Sequence, residues 1–314
     1  MDQLETPVAL IVFNRPEVTR RVFSAIAAVR PRRLLIVADG PRADREGEAL
    51  RCEEVRKIVS AVDWQCKVET NFSERNMGCR QRMVSGLDWV FSVVEEAIIL
   101  EDDCVPDRSF FSFCAELLDR YRNSEQIGII SGHNPIPEIA PSHHSYFFTK
   151  MVSVWGWATW RRTWQKYDEH MSTWPSKKDD VLKGIWPNQR ERLYWTSVFE
   201  SMYQGVGPNT WDYQLLFKSW EQHWLNIIPR RNLIQNIGFG VDATHTRKEN
   251  SAMALPAEKL RFPLIHPDKI VEWADHPKLL QKTIYDPELL RRVHRAVRSR
   301  MRQFLRATRN TFDR

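Results

Sequence analysis

Short unbroken apolar runs alternate with amphipathic stretches through the first 131 residues. Residues 7–13 (PVALIVF) form one such run, rich in β-branched side chains, as a strand buried on both faces requires. Pro16 opens a predicted helix that places Val18, Val22, Phe23, Ile26 and Val29 on one side. Residues 33–38 repeat the strand pattern and stop at Asp39-Gly40-Pro41, a turn signal. A second helix carries Leu50, Val55, Ile58, Val59 and Val62 toward the core. A strand at 67–72 and a helix at 80–94, bearing Met83, Val84, Leu87, Val90, Phe91 and Val94, follow. The strand at 97–100 ends abruptly in Glu101-Asp102-Asp103, before a helix at 109–121 and a fifth strand at 127–131. Strands alternating with helices predict an α/β fold, Rossmann-like, with a mostly parallel sheet flanked by helices. Ligands bind such sheets at the carboxyl ends of the strands. That rule singles out Asn14-Arg15, Asp39, residues 72–76 and, above all, the acidic triplet.

The texture changes after residue 131. Pro135, Pro137 and Pro141 mark a loop, and an aromatic stretch fills 146–164. Residues 165–225 read as largely helical, with breaks at Trp186-Pro187 and 205–208, then a strand at 227–236 and a Gly-rich polar loop at 238–251. Asp286-Pro287-Glu288 is a helix start, after which Leu289, Val293, Val297, Met301, Phe304 and Leu305 recur at helical spacing. The expected organisation is therefore an α/β half at 1–131, a second half of the same domain at 132–250, a connecting segment at 251–285 and a basic amphipathic helix at 286–314.

Charge refines this picture. The 314 residues carry 46 Lys+Arg and 40 Asp+Glu, a net of +6. Residues 291–314 hold nine Arg and one acid, a net of +8, which leaves 1–290 with 37 basic and 39 acidic groups, a net of −2. A nucleic-acid-binding body would need a basic surface of its own, so that class is set aside. The basic tail suits an anionic membrane surface, or a helix that packs its apolar stripe on the body and turns Arg to water. The five Cys lack any C-x-x-C spacing, and the start Met1-Asp2-Gln3-Leu4-Glu5 is acidic, not a secretory signal. No apolar run has the length of a membrane span. A cytoplasmic protein, peripheral on the membrane face if the tail binds lipid, is the expectation.

Three adjacent acids after an apolar strand suit a hard divalent cation, Mn²⁺ or Mg²⁺, held by one or two carboxylates with substrate phosphates. They also suit the acidic first turn of a helix. The surroundings resemble the GT-A-fold glycosyltransferases that use nucleotide-sugar donors, especially the N-acetylglucosaminyltransferase I type and its bacterial relatives. The resemblance is carried by VALIVFNRPEV at 8–18, IILEDDCVPDRSFFSF at 98–113, WGWATW at 155–160, Trp211-Asp212 and GFGVDATH at 238–245. The turn Phe13-Asn14-Arg15-Pro16 departs from the Cys-Asp-Arg of the eukaryotic enzymes.

The resemblance implies Asp103 as the principal metal ligand, with His245 reaching the metal or diphosphate from the closing loop. It implies Glu101 and Asp102 on donor sugar and ribose hydroxyls, Arg15 near the diphosphate with Asn14 beside the nucleotide, and Asp39 as acceptor for uracil N3–H. Asn76 and Arg82 would help cradle the nucleotide; Arg82 could equally be a solvated helix residue. Trp155, Trp157 and Trp211 would face the acceptor, since sugar C–H faces pack on indole, or would fill a core as most aromatic clusters do.

An inverting transfer needs a base on the face of the sugar opposite the leaving group, outside the metal triplet. Asp212 is the candidate, its pKa expected to rise among Trp211, Tyr213, Leu215 and Leu216; the competing role is a helix N-cap. The predicted activity is transfer of a sugar from a nucleotide-sugar, UDP-linked with UDP-GlcNAc as one candidate, to a glycan or lipid-linked hydroxyl. A sugar-nucleotide nucleotidyltransferase and a non-catalytic carbohydrate-binding protein are the alternatives.

Overall fold

The computed structural model describes residues 3–139, 143–238 and 255–285. In chain order it forms β1 (Val8–Val12), α1 (Pro16–Ala27), β2 (Arg33–Ala38), α2 (Glu48–Ser60), β3 (Lys67–Phe72), α3 (Cys79–Val93) and β4 (Glu96–Glu101). Next come β5 (Cys104–Pro106), α4 (Arg108–Arg120), β6 (Ile127–Ser131), β7 (Tyr146–Thr149), β8 (Trp157–Trp160) and α5 (Arg161–Trp164). Helices α6 (Trp174–Ile185), α7 (Gln189–Tyr203) and α8 (Asp212–Glu221) lead to β9 (Leu225–Pro229), β10 (Ile234–Asn236) and α9 (His276–Thr283).

The eight-stranded sheet has the order β3-β2-β1-β4-β8-β6-β9-β7, and four of its seven neighbouring pairs are parallel. This is a mixed α/β fold whose first half is Rossmann-like. Period-2 alternation sorts the side chains of β1 between its two faces. Val8, Leu10 and Val12 pack with Val22, Phe23, Val55, Phe110 and Phe113 under α1, α2 and α4. Ala9 and Ile11 pack with Met83, Leu87, Val90 and Trp157 under α3. A third, helical cluster holds Trp174, Trp186, Trp195, Trp220, Phe199 and Phe217. Most of the chain's many tryptophans therefore fill cores.

Two expectations are corrected, and one strand has a neighbour that the pattern does not specify. The strand at 127–131 forms as β6 and does not lie beside β4. Antiparallel β8 lies between them, with Ile99 opposite Trp157. The segment 227–236 divides into β9, which joins the main sheet, and β10, which pairs antiparallel with the three-residue β5 directly after the acidic triplet. Leu50, read as a core position of α2, is 72% exposed, because Cys52, Val55 and Val59 occupy the buried face. The predicted helix 286–314 lies outside the described residues. Among the described residues, no helix is long and apolar enough to cross a membrane.

Candidate active site

Parallel pairing places the proposed site. Val12 is level with Ala38, and Ile11 with Glu101, so the chain leaves β1, β2 and β4 at the same end of the sheet. Arg15 follows β1 and precedes α1, where Pro16 at the first helical position suits a fixed φ and a missing N–H. The Arg15 carbonyl accepts bonds from the Thr19 amide (3.1 Å) and hydroxyl (2.7 Å), which holds its backbone. Its guanidinium turns to the triplet: Nη2 donates to Asp102 Oδ1 and, at 2.9 Å, to Asp103 Oδ2. The Phe13 amide donates to the other Asp102 oxygen at 3.3 Å.

Burial and charge oppose each other here. Burial works against the charge on Arg15, but the attraction of Asp102 and Asp103 outweighs it and raises the guanidinium pKa. Burial pushes the Asp102 carboxyl above its ordinary range, with Arg15 restraining the rise. Glu101 is pushed up to about 8, by burial first and then by repulsion from Asp103 and Asp102. The short ribbon of β5 and β10 anchors the third acid: the Ile237 amide donates to the Asp103 carbonyl at 2.8 Å. Beyond it, Gly238 passes so near that a Cβ there would lie 2.0 Å from Asp103 Oδ2 and 2.9 Å from Arg15 Nη1.

Several predicted donor contacts have other partners. Asp39 is buried and accepts from the amides of Gly40 (2.8 Å), Met77 (2.9 Å) and Gly78 (3.2 Å) and from Asn76 Nδ2 (2.9 Å). Four donors occupy the acceptor sites of one carboxylate, so Asp39 ties the end of β2 to the turn before α3 and does not stand open to a base. Asn76 completes that turn by donating to the Gly40 carbonyl at 3.1 Å. Arg82 is not solvated; it is buried and joins α3 to the Asn71 carbonyl and, at 2.8 Å, to Asn71 Oδ1. Asn14 donates to the buried Glu48 (2.8 Å), which also binds Arg42.

Asp212 lies in the first turn of α8, and the N-cap is Trp211. The side-chain partner of Asp212 is the Thr210 hydroxyl, not a backbone amide of its helix, so the capping role is not realised. Its charge acts on Glu101, which brings the acid of α8 and the triplet of β4 into one electrostatic neighbourhood. Cys79, absent from the sequence-based site, lies inside it. Burial and then the fields of Glu101, Asp212, Asp103 and Asp39 push its thiol up to about 12.

The tryptophans divide differently from expectation. Trp157 and Trp211 are 1% and 2% exposed and stack at 5.5 Å between ring centroids, with Trp164 against Trp211 at 6.2 Å. They form core, because β8 is buried on both faces and α8 folds Trp211 beneath it. Trp155 is only partly buried. It precedes Gly156, whose φ of +59° and contact with Ile234 exclude a larger residue. Its ring lies 4.7 Å from that of buried His133, whose Nδ1 is 2.8 Å from Ser153 Oγ. Burial presses His133 down to about 3, so it stays neutral. His245 and most of the closing loop lie outside the described residues.

For a divalent cation, the chain offers a hard oxygen donor in Asp103, beside a backbone that no side chain can crowd. Among the described residues no three His, Cys, Asp or Glu side chains gather into a metal cage. That donor set suits Mg²⁺ or Mn²⁺ completed by phosphate oxygens rather than an all-protein site.

No known family model matches the chain, and no curated protein matches it. Solved structures do match, among them UDP-glucose pyrophosphorylase complexed with UDP-glucose, at 10% identity over 46% of this chain with a TM-score of 0.25. The match covers 64% of that protein, so this chain spans just under two thirds of its length.

Proposed function

We propose that the chain is a metal-dependent glycosyltransferase. It moves a sugar from a nucleotide-sugar, UDP-linked, to a hydroxyl of a glycan or lipid-linked acceptor, with inversion. One observation carries the reading: Arg15 and the triplet meet at the carboxyl end of the parallel strands, while a second acid, Asp212, approaches from a separate helix without capping it. Leaving-group stabilisation and proton removal need groups on opposite faces of the sugar; in this reading β4 and its triplet serve the first and α8 the second.

In this reading Asp103 holds the cation, which when bound would neutralise charge developing on the departing diphosphate. Arg15 binds the same diphosphate through its planar fork. Glu101 and Asp102 orient donor hydroxyls, and Asp212 takes the proton from the attacking hydroxyl. Trp155, the partly open indole, offers the acceptor an apolar face. The basic segment 286–314 brings the enzyme to an anionic, cytoplasmic membrane surface where lipid-linked acceptors reside.

The test is a panel of UDP- and GDP-sugars with Mn²⁺, measuring released nucleoside diphosphate. Activity abolished by Asp103→Ala and reduced about 10²-fold or more by Asp212→Asn supports the reading. Full transfer by Asp212→Asn removes the base assignment. Pyrophosphate-dependent turnover instead makes the chain a nucleotidyltransferase.

A further inference from the structure

Arg15 has one guanidinium and, on the metal-and-donor reading above, two claims on it. The Nη2 atom donates to Asp102 Oδ1 and lies 2.9 Å from Asp103 Oδ2, the oxygen that would ligate the cation. The pair is well sheltered, with side-chain exposures of 22% for Arg15, 5% for Asp102 and 16% for Asp103. The backbone of Gly238 roofs both partners, since a Cβ there would meet Asp103 Oδ2 and Arg15 Nη1 at once. A fixed positive group bonded to a carboxylate oxygen opposes a second cation at that oxygen, and does so strongly where water is largely excluded.

We infer that Arg15 is an internal competitor of the divalent cation for Asp103, and that a nucleoside diphosphate relieves the competition by taking the guanidinium. A diphosphate presents paired anionic oxygens that match the guanidinium fork as well as a carboxylate does. Its arrival therefore does two things: it draws Arg15 from Asp102 and Asp103, and it adds phosphate oxygens beside the freed carboxylate. Cation alone binds weakly, and cation with diphosphate binds cooperatively. The cooperativity passes in part through Arg15, and by linkage the cation strengthens diphosphate binding by the same factor. Arg15 thus acts on metal affinity as a positioning residue for Asp103, in addition to contacting the donor.

The experiment titrates Mn²⁺ into the full chain and reads free Mn²⁺ by electron paramagnetic resonance, first with no nucleotide. Arg15→Gln is expected to bind Mn²⁺ about tenfold more tightly than wild type, the loss of one opposing charge at close range. Equal or weaker binding overturns the competition. Arg15→Lys keeps the charge without the fork and is expected to bind Mn²⁺ less tightly than Arg15→Gln; the reverse order also overturns it. If Arg15→Gln does not fold, Arg15→Met, which keeps the stem, replaces it in the same comparison. In a second arm, saturating UDP is expected to raise wild-type Mn²⁺ affinity by a larger factor than that of Arg15→Gln. Equal factors overturn the release by diphosphate. A gain of Mn²⁺ affinity in Arg15→Gln, with no turnover of any nucleotide-sugar by the wild-type chain, upholds the competition and defeats the glycosyltransferase reading. Turnover with no such gain does the opposite.

Discussion

Gly238 lies against Asp103 so closely that a Cβ would stand 2.0 Å from the carboxylate Oδ2. The contact joins the end of β10 to the acid that follows β4, and it makes the glycine a matter of space at the site. Gly238→Ala must therefore turn the short Asp103 side chain or push back the Gly238 backbone and Arg15 with it. The expected result is a loss of Mn²⁺ affinity of about tenfold or more, with a melting temperature within a few degrees of wild type. Calorimetric Mn²⁺ titration beside a thermal melt checks both halves; unchanged affinity would show that the carboxylate has room to spare.

The position of Glu101 predicts a pH dependence of stability. Its folded pKa is about 8 against the usual 4.5, so the ionised form is disfavoured in the fold. Between those values the folded chain holds a proton that the unfolded chain has lost, and stability must fall as pH rises across that window. Glu101→Gln removes the group that titrates. Relative to wild type, the variant is expected to gain stability steadily from pH 5 to pH 8.5 and to level off above. Urea unfolding of both proteins across that range is the measurement, and parallel curves would contradict the assignment.

Much of this was legible before the fold was known, and what escaped did so for physical reasons. Strands β2 and β6 have the predicted bounds, since continuous apolar runs bounded by turn residues leave little freedom; β3, a mostly polar edge strand, has them too. The triplet falls at the end of β4 for the same reason. Ribbon β5–β10 escaped because three residues are too few for any period to register. Cys79 escaped because its neighbours come from β2, β4 and α8, a convergence that no local pattern encodes. Trp157 and Trp211 were placed at the acceptor because an indole looks the same in a core and in a sugar site until burial is known. Gly238 did carry a signal, as the first residue of the Gly-rich GFG block.

That division of the tryptophans predicts two different phenotypes. Trp211 is 2% exposed, stacked on Trp157 and met edge-on by Trp164, so Trp211→Ala should lower stability by about 3–5 kcal/mol. Trp155, partly open beside His133, should tolerate truncation far better, at about 1–2 kcal/mol. If it serves the acceptor, Trp155→Ala raises the acceptor KM while leaving donor hydrolysis intact. Chemical denaturation separates the first effect from the second, and a steep stability loss at Trp155 would return it to the core.

Asp39 tests whether the turn before α3 is a structural lock. Three backbone amides and Asn76 Nδ2 converge on one buried carboxylate, which ties the end of β2 to the loop entering α3. Asp39→Asn keeps the size but replaces one acceptor oxygen with an NH₂ group facing N–H donors. At least one buried amide then loses its partner, a penalty of about 1–3 kcal/mol each. Because α3 presents Cys79 to the carboxylates of β4 and α8, the loosened turn should also speed reaction of that thiol with a disulfide reagent at pH 8. Loss of the Asp39 charge eases ionisation of Cys79 in either case, so stability separates the readings: a contact made only with a bound nucleotide predicts unchanged stability with weaker UDP binding. Urea denaturation and UDP titration on Asp39→Asn decide between them, and loss of stability is the outcome the geometry requires.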